Sequence, residues 1–183
     1  WETQYSLALG LYETAASAHF SCPGRDQDLL MQRIESIFAH AKDFSDKFSA
    51  HCIWVKILSL TDLSRATEES LNALERLGEP LNLANVGYRE ACNELRRCKE
   101  QYQGVRTKDF SSTRRLGDVN KARAMKIMSS LLVYFHQSKY FEGVYVSCKM
   151  LRITMDGHCG ESVMGLAAFA AALVNCLEGE SMS

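Results

Sequence analysis

FSDKFSAHCIWVKILSLTDLSRATEESLNALERLG, residues 44–78, decides the fold. In its first half apolar residues recur at Phe48, Cys52, Val55 and Leu58, with Ile53 and Ile57 widening the stripe, the spacing of one helical face. Thr61, Asp62, Leu63 and Ser64 then supply turn and capping oxygens, and Leu63, Ala66, Ser70, Leu74 and Leu77 resume the same period. Gly78 offers the left-handed residue that ends helices, and Pro80 prevents resumption. The stretch therefore predicts two antiparallel helices joined by almost nothing.

A helical hairpin of about 34 residues has the length of a tetratricopeptide repeat. Laid on that pattern, Leu63 stands at the bulky position of the second helix, and Ala66 and Ala73 at its two small ones. Trp54 would occupy the small position of the first helix, so the hairpin must splay or turn the indole outward. The repeat is degenerate.

Elsewhere the same period returns. Residues 2–20 carry Tyr5, Leu9, Tyr12, Ala16 and His19, then break at Ser21, Cys22, Pro23 and Gly24. Asp26 caps a second helix striped by Leu30, Ile34, Ile37, Phe38 and Ala41, which closes a first hairpin over residues 2–41. A surface helix is expected at 85–103, on Tyr88, Cys92, Leu95, Cys98 and Tyr102, with Glu94 among the outward charges. Residues 104–120 are polar with isolated apolar residues and read as a long, mobile loop. Residues 121–155 form a third hairpin, with Tyr140 and Gly143 at the bulky and small positions. Asp156 to Gly160 break the chain before a final helix at 161–177. Its apolar run from Val163 to Val174 falls short of the roughly 20 residues that span a membrane, and reads as a buried helix.

The 183 residues, 46% hydrophobic, suffice for one core or a short stack of hairpins. A formal charge of −1 gives no global pull towards nucleic acid or anionic membrane, and neither is expected as a partner. Seven scattered cysteines and the lack of an Asn-x-Ser/Thr acceptor point to a reducing, cytoplasmic setting. The chain opens on Trp1 with nothing like a signal peptide and reads as a fragment of a larger protein.

Chemical motifs are sparse. There is no Gly-x-x-x-x-Gly-Lys to cradle phosphates and no Gly-x-Gly-x-x-Gly. Zinc wants four close nitrogen or sulfur ligands, and there is neither Cys-x-x-Cys nor His-Glu-x-x-His. His51 beside Cys52 reads as a surface histidine next to a packed cysteine, since adjacent helical residues point about 100° apart. His158 beside Cys159 lacks a third orienting group. No catalytic, cofactor-binding or metal residue is assigned. Residues 96–126 are locally basic, either as a solvated face or as a dock for an acidic protein surface. Arg96, Arg97, Arg106, Lys108, Arg114 and Arg115 are the candidate partner-binding residues.

The run from Asp28 to His40, with Asp46, Lys47 and Phe48, resembles the helical repeat region of large microbial multidomain signalling proteins. The likeness continues through Leu74 to Gly78, Val105, Arg106, Thr107 and Asp109, and on to Leu116, Asp118, Lys121, Ala122, Ala124 and Met125. It covers most of residues 25–175. In that family a kinase-like domain and a signal-transduction AAA-type ATPase precede tetratricopeptide-like hairpins, and a histidine kinase or nucleotide cyclase often follows. The family's paired prolines after the central hairpin are reduced here to Pro80, and none of its nucleotide-binding or catalytic residues maps onto this chain. The resemblance implies a helical regulatory segment between an ATPase and an output enzyme.

The expectation is thus a single all-α domain, residues 1–183, of antiparallel hairpins (2–41, 45–78 and 121–155) stacked as a short, degenerate tetratricopeptide-like array. Its expected function is non-catalytic: an interaction and relay module for a protein segment or neighbouring domain. The alternative is a helical sensor holding a small molecule between hairpins.

Overall fold

The computed structural model describes residues 1, 3–22, 24, 26–103 and 114–178. Helix makes up 77% of the described residues, and no strand occurs among them, so the fold is all-α. Read from sequence as one array, the chain divides into two compact units, Trp1–Glu69 and Ser70–Ser183.

In the first unit, α1 (Tyr5–Ser21), α2 (Gln27–His40) and α3 (Phe44–Leu58) all pack on one another. The predicted α1–α2 hairpin is present, and α3 completes a three-helix arrangement. Aspartates start the helices. Asp26 accepts from the Asp28 and Leu29 amides, Asp43 from the Asp46 amide at 2.9 Å, and Asp62 from the Arg65 amide at 2.9 Å, where α4 (Leu63–Arg76) begins. Each bond satisfies an amide that the first helical turn leaves without a partner. Leu30, Ile34 and Ile37, at i, i+4 and i+7 of α2, are fully buried with Ala16 of α1 and Ala50 of α3.

Trp54 does turn aside. Its indole meets Phe38 of α2 edge-on at 5.9 Å, and the Arg65 guanidinium lies over it at 5.7 Å. His51 corrects the sequence reading: it is only 8% exposed, packed between Phe44 and Trp54, while Cys52 is half-buried. The aromatic rings at i−7 and i+3 share its helical face and draw the imidazole inward.

The division between the units falls within α4. Gly78, at φ +80°, ends that helix as expected, with the Glu79 amide reaching back to the Leu74 carbonyl at 3.0 Å. The second unit then contains α5 (Tyr88–Gln101), α6 (Val119–Ser138), α7 (Tyr140–Asp156) and α8 (Ser162–Leu173), with a π-helical turn at Val174–Glu178. The α7 helix is central, touching α5, α6 and α8 and burying eight of its residues, Val144, Val146 and Met150 among them. Gly165 lets α8 lie close to α7, because a Cβ there would stand 2.8 Å from the Met150 Cβ.

Two further features depart from the sequence reading. Glu94, expected to face water, is 7% exposed, and its carboxylate meets the Arg152 guanidinium of α7 at 2.5 Å. The favourable charge-assisted bond offsets the cost of burying the carboxylate. The loop read at 104–120 is in part ordered by pairing. The Leu116 amide donates to the His158 carbonyl at 2.9 Å and the His158 amide to the Arg114 carbonyl at 3.2 Å, a parallel bridge beside Gly157. A Cβ at Gly157 would come within 2.8 Å of the Leu116 Cα, so only glycine admits this approach. Asp118 then caps α6, which begins at Val119 inside the predicted loop. Residues 104–113, on which the expectation of mobility mainly rests, lie outside the described residues.

Candidate functional site

The basic residues singled out from sequence sit in different local settings. Arg96 is exposed and donates to the Asn93 side chain at 3.2 Å, and Arg97 lies 3.9 Å from the Glu94 carboxylate. Arg114 and Arg115 are exposed, their backbones held by the His158 pairing. Arg106 and Lys108 lie outside the described residues. Lys121, two residues past the start of α6, pairs with Asp156 at 2.6 Å. Its ammonium is held above the ordinary lysine range by that hydrogen bond. The side chains of Arg114 and Arg115 are thus presented outward on a fixed backbone.

A second feature had no sequence forecast. The α8 helix is apolar all round, and the sequence reading placed it in the core. It buries one face only. Gly165, Phe169, Ala172 and Cys176, spaced i, i+4, i+7 and i+11, turn inward, whereas Val163 is 73% and Met164 43% exposed. On the adjoining face, about 100° round the helix, Met164, Ala168, Ala171 and Asn175 repeat the same spacing along a cleft of about 420 Å³. Its other wall is the end of α6 and the start of α7, with Leu132, Val133, Phe135 and Gly143. Alanines and a glycine line a groove because their side chains are too short to fill the space between three helix axes.

The polar groups of the cleft gather at one end. Lys139 alone joins α6 to α7, so His136 and Tyr140 are neighbours across that joint. The far end of α8 meets the same place, for the Tyr140 hydroxyl lies 3.9 Å from the Cys176 thiol and the Asn175 side chain reaches it as well. Burial raises the Tyr140 phenol above its ordinary range, so it stays protonated and can both donate and accept. Among the described residues, the lining includes no carboxylate, thiol or lysine. Such a surface can exclude water from an apolar guest and orient it by one polar end.

Among the described residues no group of three or more His, Cys, Asp or Glu side chains could hold a metal ion, and no helix is long and apolar enough to cross a membrane. Set against protein-family profiles, curated proteins and solved structures, the chain matches none.

Proposed function

We propose that this chain is a non-catalytic interaction and relay module of a cytoplasmic multidomain signalling protein, and that the cleft of α6, α7 and α8 receives an apolar segment of a partner protein or neighbouring domain. The single observation that carries the reading is the open apolar cleft itself. Solvent-exposed Val133 and Met164 in its lining are what a helix-in-groove interaction uses as its outer contacts. The hairpin patterning and the resemblance to helical repeat regions agree with such a role, because arrays of hairpins bind through the faces that their helices leave uncovered. The exposed Arg114 and Arg115 would steer an acidic partner surface towards the same unit.

A second reading is favoured by a separate observation. The cleft volume falls within the range of small-ligand sites, and His136, Tyr140 and Asn175 converge at one end. An elongated apolar molecule with a polar head would fit, which makes the chain a helical sensor. Native mass spectrometry of protein purified without added ligand separates the two: a small adduct retained at stoichiometric level supports the sensor, and its absence favours the interaction module. Ala168→Trp, which fills the cleft from its floor, is expected to abolish binding of the neighbouring domains while leaving helicity unchanged. Undiminished binding by that variant would overturn the assignment of the cleft.

A further inference from the structure

The width of the cleft decides what can enter it. Its floor runs along α8 from Met164 to Asn175, a rise of about 16 Å, so a volume of 420 Å³ leaves a mean cross-section of about 25 Å². A whole helix, about 10 Å across, does not fit inside. One row of side chains from a helix laid over the cleft does fit, and so does one extended alkyl chain. The two ends differ in chemistry. From Met164 to Ala171 the α8 side is apolar, whereas His136, Tyr140 and Asn175 stand at the other end. Lys139, between His136 and Tyr140, holds its ammonium 5.8 Å from the centre of the Phe135 ring, and Phe135 lines the cleft. The Tyr140 hydroxyl is engaged with Cys176 and Asn175. An imidazole N–H, an ammonium and an amide NH₂ all donate, and Glu142, the first charged residue of α7, is outside the lining. An end furnished with donors and a cation selects an acceptor of negative charge. His136 and Lys139 are exposed, so such a group keeps part of its hydration there.

We infer that the cleft takes an amphiphilic carboxylate of the fatty-acid class, its alkyl chain lying along α8 and its head group at His136, Lys139 and Asn175. The inference rests on the assignment of this cleft as the binding surface and adds a regulator to it. The alkyl chain and a partner's row of side chains need the same volume, so the carboxylate displaces the partner. Each methylene laid on Ala171, Ala168 and Met164 leaves water and adds to the affinity, until the chain passes Met164 and further carbons stand in solvent again. The carboxylate fixes the direction of the chain, because its charge is matched at one end of the cleft only.

The test is isothermal titration calorimetry of the intact chain with sodium dodecanoate below its micellar concentration. One dodecanoate per chain is expected, with dodecyltrimethylammonium, the same tail under the opposite charge, weaker by about tenfold or more. Octanoate should bind more weakly than dodecanoate, since it leaves part of the cleft unfilled. Lys139→Met should weaken dodecanoate by about tenfold without weakening dodecyltrimethylammonium, and Ala168→Trp should abolish binding of both. Equal affinity for the two head groups would overturn the inference, as would several dodecanoates per chain or undiminished binding by Ala168→Trp. Should Ala168→Trp fail to fold, the comparison of head groups on the wild type decides. Added dodecanoate should also release the neighbouring domains. If dodecanoate does not bind while Ala168→Trp still abolishes association with those domains, the carboxylate is refuted and the interaction surface stands.

Discussion

Gly165 offers a quantitative probe of the α7–α8 contact. A methyl group added there would stand 2.8 Å from the Met150 Cβ, 3.3 Å from its Cε and 3.7 Å from its Sδ. The Met150 thioether can rotate away, but its Cβ is fixed to the α7 backbone and the new Cβ to that of α8. To reach ordinary carbon contact, near 3.5 Å, the helices must part by roughly 0.7 Å. Overpacking of this kind costs typically 1–3 kcal/mol, against which alanine gains about 1 kcal/mol over glycine in helix propensity. Because the clash involves two backbone-anchored atoms, the upper half of that range applies, and Gly165→Ala should destabilise the chain by about 1–2 kcal/mol. Gly10 in α1 is the matched control, exposed and with nothing within 4 Å of an added Cβ. Gly10→Ala should therefore stabilise by up to about 1 kcal/mol. Urea denaturation followed by circular dichroism measures both. If Gly165→Ala proves as stable as Gly10→Ala, the close crossing of α7 and α8 is wrong.

Three further predictions can be checked alongside. Leu74 is fully buried, and Leu74→Ala should cost on the order of 2–4 kcal/mol; an unchanged denaturation midpoint would show that its burial contributes little. Arg152→Met strands the Glu94 carboxylate in the interface of α5 and α7 and should cost about 1–3 kcal/mol, while adding Glu94→Leu should recover most of it; equal stability of the two single variants and the wild type would refute the pairing. Reversing Arg114 and Arg115 to Glu should leave the melting temperature nearly unchanged, since both are exposed, but weaken and flatten the salt dependence of association with neighbouring domains; unaltered affinity and salt slope would reduce the segment to a linker.

Helices and their ends were legible in the sequence because periodicity and capping are local. The stripe Leu30, Ile34, Ile37, the aspartate caps and the stop at Gly78 each depend on residues a few positions apart. Partners across the fold were not. That Glu94 turns inward depends on Arg152, distant in sequence, and that His51 is buried depends on which face of α3 meets α2. The cleft escaped notice for a related reason: an alanine-rich run from Val163 to Val174 has no polar face, so nothing in its pattern says that one side stays uncovered. The pairing of residues 114–116 with Gly157 and His158 was equally hidden, since a two-bond bridge has no periodic signature.

That bridge bears on how the α6–α7 hairpin can move. At one end the two helices are joined by Lys139 alone; at the other, the residues leading into α6 are hydrogen-bonded to those leaving α7, and Lys121 of α6 holds Asp156 of α7. A hairpin fastened at one end is a pair of tongs, free to spread or to slip by a helical turn, the ratchet through which many helical switches act. Fastened at both ends it becomes a closed frame. For one helix to slip past the other, the bridge and the Lys121–Asp156 pair would have to break first.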